Sequence, residues 1–108
     1  MMYPKRKPIR SKKWREAARG QECTGRTPWC TGDPETVVCA HSNWQEDGKG
    51  EAYKADDLFS ADLCSGCHRW LDEGAPGETE RRDYFHAAMK RTLRRRYDMG
   101  LLKVDGAK

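Results

Sequence analysis

Residues 63–72 combine two kinds of metal-binding side chain. Cys64 and Cys67 are separated by two residues, a spacing that lets a tight turn present two thiolates to one metal ion. His68 follows directly and Asp72 lies four residues later, so on a helix these two side chains project from the same face. Thiolates suit a closed structural zinc site, whereas an imidazole and a carboxylate suit an open site for a divalent metal. One short segment therefore offers ligands for two different kinds of metal site.

Two further cysteines lie upstream in a turn-rich segment. Cys23 and Cys30 have six residues between them, and the glycine and proline residues of this segment allow the loop to fold back. Either cysteine alone would be interpreted as an ordinary buried thiol. Together with the downstream pair they supply the four thiolates of a tetrahedral structural site. The predicted zinc ligands are Cys23, Cys30, Cys64 and Cys67.

Composition limits the class of protein. With 108 residues the chain has the size of one domain, and its 36% hydrophobic and 35% charged residues predict a small core. A domain that buries little surface commonly needs a metal as a structural staple. No stretch is long and apolar enough to span a bilayer, and no apolar segment follows the basic N-terminus as in a secretory signal. Five cysteines in such a chain predict metal binding in a reducing compartment, the cytoplasm, rather than a disulfide framework.

Basic residues are concentrated at both ends of the chain, and the net charge is +4. Residues 1–20 contain eight lysines and arginines, which predict either an arm that lies along phosphates or a merely solvated terminus. Trp14 favours a segment that docks on the domain. The run Arg94, Arg95 and Arg96 allows two interpretations as well, a phosphate-binding face or a solvated helix end. This charge distribution predicts a nucleic-acid partner.

Short elements are predicted around these residues. A β-branched run predicts a strand over residues 36–41, on which Val37, Cys39 and His41 share one face and His41 stands at the end. Cys39 is predicted to be a core residue, with a fifth zinc ligand as the alternative, and His86 is interpreted as structural. The other predicted elements are a helix over 12–19, a strand near 51–54, a helix from 65 or 67 to 73, an amphipathic helix over 78–98 and a short strand over 101–104.

A strand that ends in His41, a loop, a second strand and a helix that begins with Cys67-His68 resemble the HNH, or His-Me finger, nuclease motif. In that motif two strands and a helix hold one catalytic metal. The resemblance covers about residues 21–75 and includes Val37-Val38-Cys39-Ala40-His41 and Leu63-Cys64-Ser65-Gly66-Cys67-His68. The entire chain also resembles the small YbcO-type proteins of lambdoid prophages, whose nuclease assignment rests on their fold.

The resemblance implies an α+β fold built on a zinc-stapled ββα-metal core. The basic N-terminal arm with a short helix would occupy residues 1–20, and the zinc-containing core residues 21–75. Residues 76–108 would form a C-terminal amphipathic basic helix and a short tail.

The resemblance also implies roles for the site residues. His41 would be the general base that takes a proton from the attacking water, and His68 would bind a catalytic Mg²⁺ or Mn²⁺ ion at the scissile phosphate. Many family members carry an Asp or His directly before the catalytic histidine as a second metal ligand, and this chain has Ala40 there. Asp72, one turn along the helix from His68, would supply that ligand instead. The family's central asparagine has no clear counterpart, since Asn43 lies too near His41 to be assumed equivalent.

These roles predict a metal-dependent DNA endonuclease of phage or prophage origin that binds the phosphate backbone with weak sequence preference. His41 and His68 should then face each other across the gap between strand and helix, with Asp72 beside His68. The alternative is a non-catalytic zinc module that binds DNA or another protein, in which both histidines are structural.

Overall fold

The structure is a computed structural model that describes residues 7–47, 49, 54–74 and 77–107. Within these ranges the chain forms a small α+β fold of three helices and one two-stranded sheet. None of the described helices is long and apolar enough to cross a membrane. In chain order the elements are α1 (Lys12–Glu16), a 3-10 turn (Pro34–Thr36), β1 (Val38–His41), a 3-10 turn (Gln45–Asp47), β2 (Ser60–Leu63), α2 (Ser65–Glu73) and α3 (Glu78–Asp98).

The strands β1 and β2 pair antiparallel, with Cys39 opposite Asp62 and His41 opposite Ser60. Every residue of β2 is buried, whereas in β1 only Ala40 is fully buried and its neighbours Cys39 and His41 are half-buried. The face of β1 that carries Cys39 and His41 therefore lies at the edge of the core. Cys39 packs against the core from that edge and is not one of the four clustered cysteines.

Helix α2 begins immediately after β2 because Cys64 caps it, with its Sγ accepting the Cys67 N–H at 3.5 Å. The helix ends at Gly74, so the predicted helix over residues 65–73 is confirmed. His68 and Asp72 lie on one side of α2 with 42% and 48% of their side chains exposed. The opposite, buried side carries Cys67, Trp70 and Leu71. The amphipathic helix thus presents a core face and a polar face that carries the candidate metal ligands.

Helix α3 packs against β2, and its bounds agree with the predicted helix over residues 78–98. The buried positions recur at three- and four-residue steps, as expected for one helical face. Half of the buried positions of α3 are polar, namely Thr92 and Arg96. Thr92 accepts a hydrogen bond from the Asp62 N–H at 3.1 Å. The buried residues are Phe85, Ala88, Thr92 and Arg96.

The arginine run at the end of α3 is partly used inside the protein, and neither predicted interpretation, a phosphate-binding face or a solvated helix end, fits the buried Arg96. Arg96 is 0% exposed and forms a bidentate pair with Asp62, with N–O distances of 2.8 and 2.6 Å. Its Nε donates to the carbonyl of Trp14, and Arg95 also pairs with Asp62 at 2.9 Å. Only Arg94 of this run is largely exposed, at 74%. A buried carboxylate in β2 needs these charges, because an unpaired buried charge is strongly unfavourable.

The N-terminal segment docks on the domain, as Trp14 predicted. Trp14 is 3% exposed, and its Nε1 donates to Ser60 Oγ at 3.3 Å. Ser11 caps α1 by accepting the Trp14 N–H at 3.1 Å. The helix is shorter than predicted because the chain after Glu16 tightens into i→i+3 hydrogen bonds, such as Arg19 N to Glu16 O.

Two predicted strands require correction. The strand predicted near 51–54 falls mostly on residues 51–53, which lie outside the described residues, and the partner of β1 is Ser60–Leu63. The strand predicted over 101–104 is wrong. Gly100 adopts φ +80°, and the N–H groups of Leu101 and Leu102 then return to the Arg96 carbonyl, which closes the end of α3.

Candidate metal centre and active site

Four cysteine sulfur atoms converge where β2 meets α2. The loop before β1 brings Cys23 and Cys30 against Cys64 and Cys67, and all four Sγ atoms lie within 4.8 Å of one another. Cys30 Sγ and Cys64 Sγ are 3.8 Å apart. A tetrahedral zinc site with Zn–S bonds of about 2.3 Å has sulfur atoms about 3.8 Å apart. The cluster therefore fits a structural metal such as zinc.

Backbone N–H groups point at these sulfur atoms and favour their ionised form. Cys23 Sγ accepts from Cys64 N at 3.2 Å and Gly25 N at 3.3 Å, and Cys64 Sγ accepts from Thr31 N at 3.4 Å. The hydrogen bond from the Cys67 thiol lowers the pKa of Cys23 to about 4, and the same contact raises the pKa of Cys67. Burial also raises the pKa of Cys30, so these contacts favour the metal-binding thiolate form at Cys23 and Cys64 and not at all four cysteines.

Glycine is needed where the cysteine loop approaches α2. A Cβ atom added at Gly25 would lie 2.8 Å from Cys67 Sγ, and one added at Gly66 would overlap the carbonyl oxygen of Trp29. Side chains at these two positions would push the loop away from the helix. The glycines therefore permit the close approach that brings the two pairs of cysteines together.

His41 ends β1, and its imidazole contacts a buried carboxylate. His41 Nε2 lies 2.7 Å from Asp57 Oδ1. Burial raises the pKa of Asp57, but hydrogen bonds from His41, Ser11 N–H and Arg15 outweigh it and hold that pKa below its ordinary value. Asp57 is therefore ionised at neutral pH and accepts the Nε2 proton. In the neutral ring this leaves Nδ1 unprotonated, as a general base requires.

Asp57 also ties the N-terminal segment to this histidine. The carboxylate is 1% exposed and accepts the Ser11 N–H at 2.6 Å and Arg15 Nη1 at 2.7 Å. Arg10 Nη1 lies 3.6 Å from the oxygen that contacts His41. The position of the imidazole is thus fixed by a carboxylate that is itself held by three residues of the N-terminal segment.

His68 and Asp72 form the second half of the candidate site. His68 Nε2 lies 3.5 Å from Asp72 Oδ2, one helical turn along α2. Asn43 Nδ2 reaches from the loop after β1 and donates to Asp72 Oδ1 at 2.8 Å. Lys49 Nζ donates in turn to Asn43 Oδ1 at 3.3 Å. An imidazole and a fixed carboxylate, both half-exposed, are suitable ligands for a divalent cation.

One cavity of about 220 Å³ brings the two halves together. β1 and the loop after it supply His41 on one wall, and α2 supplies His68 and Asp72 on another. A larger cavity of about 560 Å³ lies beside Trp29 and Trp70, but no histidine or cysteine lines it. We therefore take the smaller cavity as the candidate active site. Its lining comprises Cys39, Ala40, His41, Ser42, Asn43, Lys49, Lys54, His68 and Asp72.

The sequence did not reveal two residues that organise this cavity. Asp57 lies 16 residues after His41, and its burial beside the histidine depends on how β2 returns along β1. Asn43 is too near His41 in sequence to suggest a role in the site, yet it reaches across the cavity to Asp72. The Asp56-Asp57 pair directly before apolar residues was the available signal for a buried carboxylate.

Several known proteins are similar to this chain in sequence or in fold. Two curated relatives, "Putative nuclease YbcO" of Escherichia coli (strain K12) and "Putative nuclease ybcO" of Enterobacteria phage 82, are each 45% identical over 60 residues. That match covers 54% of this chain and 60% of each relative, so this chain matches less than two thirds of their length. A solved structure described as a putative bacteriophage protein from Escherichia coli K-12 is 32% identical, with a TM-score of 0.65. It covers 82% of this chain and 100% of its own.

A family model described as "Putative nuclease YbcO" matches residues 12–101, which span α1, both strands, the cysteine cluster, α2 and α3. Because the match extends over most of the chain, this protein belongs to the YbcO family.

Proposed function

We propose that this protein is a metal-dependent DNA endonuclease of the HNH, or His-Me finger, type. The observation that carries the proposal is the cavity in which a carboxylate-bound His41 stands opposite His68 and Asp72. The proposed reaction is hydrolysis of a phosphodiester bond, with His41 as the base and His68 and Asp72 as the metal ligands. The name of the phage relative supports an origin in a phage or prophage.

His41 would act through Nδ1, because Nε2 is occupied by Asp57. A water molecule gives its proton to Nδ1, and its oxygen forms the new bond to phosphorus. The bond from phosphorus to the leaving sugar oxygen breaks, and that oxygen takes a proton from solvent. Asp57 keeps the ring in the required tautomer and stabilises the imidazolium that forms.

His68 and Asp72 are the residues that would hold the divalent metal ion that this type of nuclease implies. Their nitrogen and oxygen atoms lie 3.5 Å apart and face an open cavity, so the donor set fits a hard cation that retains several water molecules. Bound there, the ion would supply electrostatic stabilisation of the charge that develops on the phosphate oxygens. Asn43 would orient Asp72, which compensates for Ala40 at the usual position of the second ligand.

The four cysteines would hold a structural zinc ion that fixes α2 next to β2. Cys64 caps α2 and Cys67 lies in its first turn, so the zinc ion would determine the position of His68, the next residue. Structural zinc and catalytic magnesium or manganese would therefore occupy two separate sites at the two sides of one helix.

Binding of Mn²⁺ to the zinc-loaded protein tests the proposal, with electron paramagnetic resonance as the readout. We expect one zinc ion per chain and one additional Mn²⁺ ion that is lost in His68→Ala. His86→Ala is the matched control, because His86 packs near Trp44 and should leave Mn²⁺ binding unchanged. Zinc without any additional Mn²⁺ site, combined with DNA binding, would instead support the non-catalytic zinc module.

A further inference from the structure

Three cavities lie in a row across the site, and the candidate active site is the middle one. A cavity of about 380 Å³ on the α1 side shares Cys39, His41 and Lys54 with it. On the opposite side, a cavity of about 450 Å³ shares Asn43, Lys49 and Asp72 with it. A nucleic-acid strand that crosses the middle cavity can therefore continue into either neighbour.

The two outer cavities differ in charge. The cavity on the α1 side is lined by four basic residues, Lys12, Arg15, Arg19 and Lys54, and one acidic residue, Glu16. The opposite cavity carries two basic and two acidic residues, so its charges balance. Those residues are Lys49, Arg81, Asp72 and Glu78. A polyanion is thus attracted on one side of the middle cavity and not on the other.

The basic side is also fixed relative to His41. Arg15 donates to Asp57, the carboxylate that contacts His41, and Trp14 anchors α1 by its hydrogen bond to Ser60. Lys12 lies on the same short helix with 79% of its side chain exposed, and Arg19 follows the helix and is exposed. The helix that carries Lys12 is therefore anchored beside the proposed base, and Lys12 Nζ lies 3.8 Å from Glu16 Oε1 on the same helix.

We propose that the α1 side binds the phosphates that flank the scissile phosphate on one side only. This inference rests on the proposed nuclease function. Beyond that function, it states that the protein binds the cleaved strand electrostatically on one flank of the cut. We call the cavity lined by Lys12, Arg15, Arg19 and Lys54 the flanking-phosphate site. Phosphates on the other flank pass the charge-balanced cavity and contribute little to affinity.

The binding test uses fluorescence anisotropy with a duplex DNA in EDTA, so that no cleavage occurs. The variant Lys12→Ala/Arg19→Ala removes two exposed cations of the flanking-phosphate site. We expect about tenfold weaker binding at low salt, and a slope of log Kd against log salt reduced by about 2. The control Lys13→Ala/Arg94→Ala removes the same charge from exposed residues that do not line this cavity. Equal losses in the two double variants would overturn the proposal.

The cleavage test identifies the flank. The protein is incubated with Mg²⁺ and a DNA strand that contains one uncharged methylphosphonate linkage. The cleavage yield at the linkage on the 5′ side of the methylphosphonate is compared with the yield on its 3′ side. We expect one of these cuts to be suppressed about tenfold in the wild type, and the asymmetry to disappear in Lys12→Ala/Arg19→Ala. Cleavage with equal suppression on both sides overturns the one-sided site while the nuclease proposal stands. Absence of all cleavage would overturn the nuclease function instead, and the binding test then decides the flanking-phosphate site alone.

Discussion

At the scale of single residues, the proposed function depends on the contact between His41 and Asp57. Nε2 and Oδ1 are 2.7 Å apart, and the buried carboxylate has several other donors that keep it in place. An imidazole held in one orientation does not have to sample other ring orientations before it accepts a proton. In the proposed mechanism Asp57 is therefore a positioning residue, and its contribution to the cleavage rate should be visible only while His41 is present.

The substitution Asp57→Asn tests that relation. We expect cleavage to fall about 100-fold at pH 7, because an amide can donate to Nε2 and so favour the wrong tautomer. The double variant with His41→Ala should be no slower than His41→Ala alone, since the two residues act as one unit. Single-turnover cleavage rates of the wild type, the two single variants and the double variant measure this dependence. Losses that multiply in the double variant would mean that Asp57 acts independently of His41.

Asp57 also makes a prediction about stability and pH. Its folded pKa lies below its ordinary value of 3.8, so its contribution to stability is present above about pH 4 and is lost as the pH falls through the folded pKa. Wild-type protein should therefore lose more melting temperature between pH 5 and pH 3 than Asp57→Asn does. The two melting curves are measured with the same zinc content. Parallel loss in both proteins would show that the carboxylate contributes nothing over this range.

The sequence predicts candidate metal ligands and a candidate base, but not the residues that position them. The cysteines, His41, His68 and Asp72 are visible because their types and spacing are informative on their own. Asp57 and Asn43 carry no such pattern, because their partners lie 16 and 29 residues away along the chain. Contacts of that kind follow from the pairing of β1 with β2 and the packing of α2, which local sequence does not specify.

At the scale of secondary structure elements, the cysteine cluster connects the N-terminal loop, the end of β2 and the start of α2. The domain has a small core, so the metal should supply much of its stability. Structural zinc commonly contributes on the order of 10 kcal/mol to the folding of small modules. The cluster should therefore be indispensable to the fold, whatever the protein does.

The variant Cys64→Ser should lose zinc and most of its native circular dichroism. Cys39→Ser is the matched control, because Cys39 is half-buried at the edge of the core and lies outside the cluster. It should retain one zinc ion per chain and a melting temperature close to that of the wild type. Zinc content by mass spectrometry and thermal melting provide the readouts. A zinc-free preparation with native melting behaviour would contradict the structural role.

The link between β2 and α3 depends on the buried pair of Asp62 and Arg96. The variant Asp62→Asn leaves the Arg96 charge without a full counter-charge in a site that is 0% exposed. We expect a loss of about 3–5 kcal/mol in the free energy of unfolding. Asp98→Asn is the control, because its pair with Arg94 is exposed and worth at most about 1 kcal/mol. Urea denaturation gives the free energy of unfolding of both variants. Equal losses of this free energy would contradict the importance of the buried pair.

Helices were easier to predict than strands in this chain. The bounds of α2 and α3 follow from capping residues and from three- and four-residue spacing, and both agree with the structure. β2 has the sequence Ser-Ala-Asp-Leu, which lacks β-branched residues and, with 4 residues, is too short for its alternation of polar and apolar residues to predict a strand. It is a strand because Thr92 and Arg96 of α3 satisfy its polar groups in the interior. Tertiary contacts therefore decide the position of the second strand.

At the scale of the whole molecule, charge determines how the protein meets DNA. The net charge is +4, but Arg95 and Arg96 both pair with the buried Asp62, and Arg96 has no exposed surface. DNA affinity should still fall steeply with salt, because exposed lysines and arginines displace counterions from the backbone. Anisotropy titrations at salt concentrations between about 50 and 200 mM give the slope of log Kd against log salt. An affinity that does not change over this range would mean that the basic residues only solvate the surface.

Plasmid nicking in the presence and absence of Mg²⁺ tests the central claim most directly. All variants must carry one zinc ion per chain, so that the fold is the same in each. We expect wild-type protein to nick only with Mg²⁺ or Mn²⁺, and His41→Ala to lose about 100-fold or more at every metal concentration. His68→Ala should be slow at low Mg²⁺ and partly restored by excess Mg²⁺, and Asp72→Asn should show a milder form of the same dependence. Full activity of His41→Ala, or no nicking by zinc-loaded wild type with any divalent metal, would contradict the account.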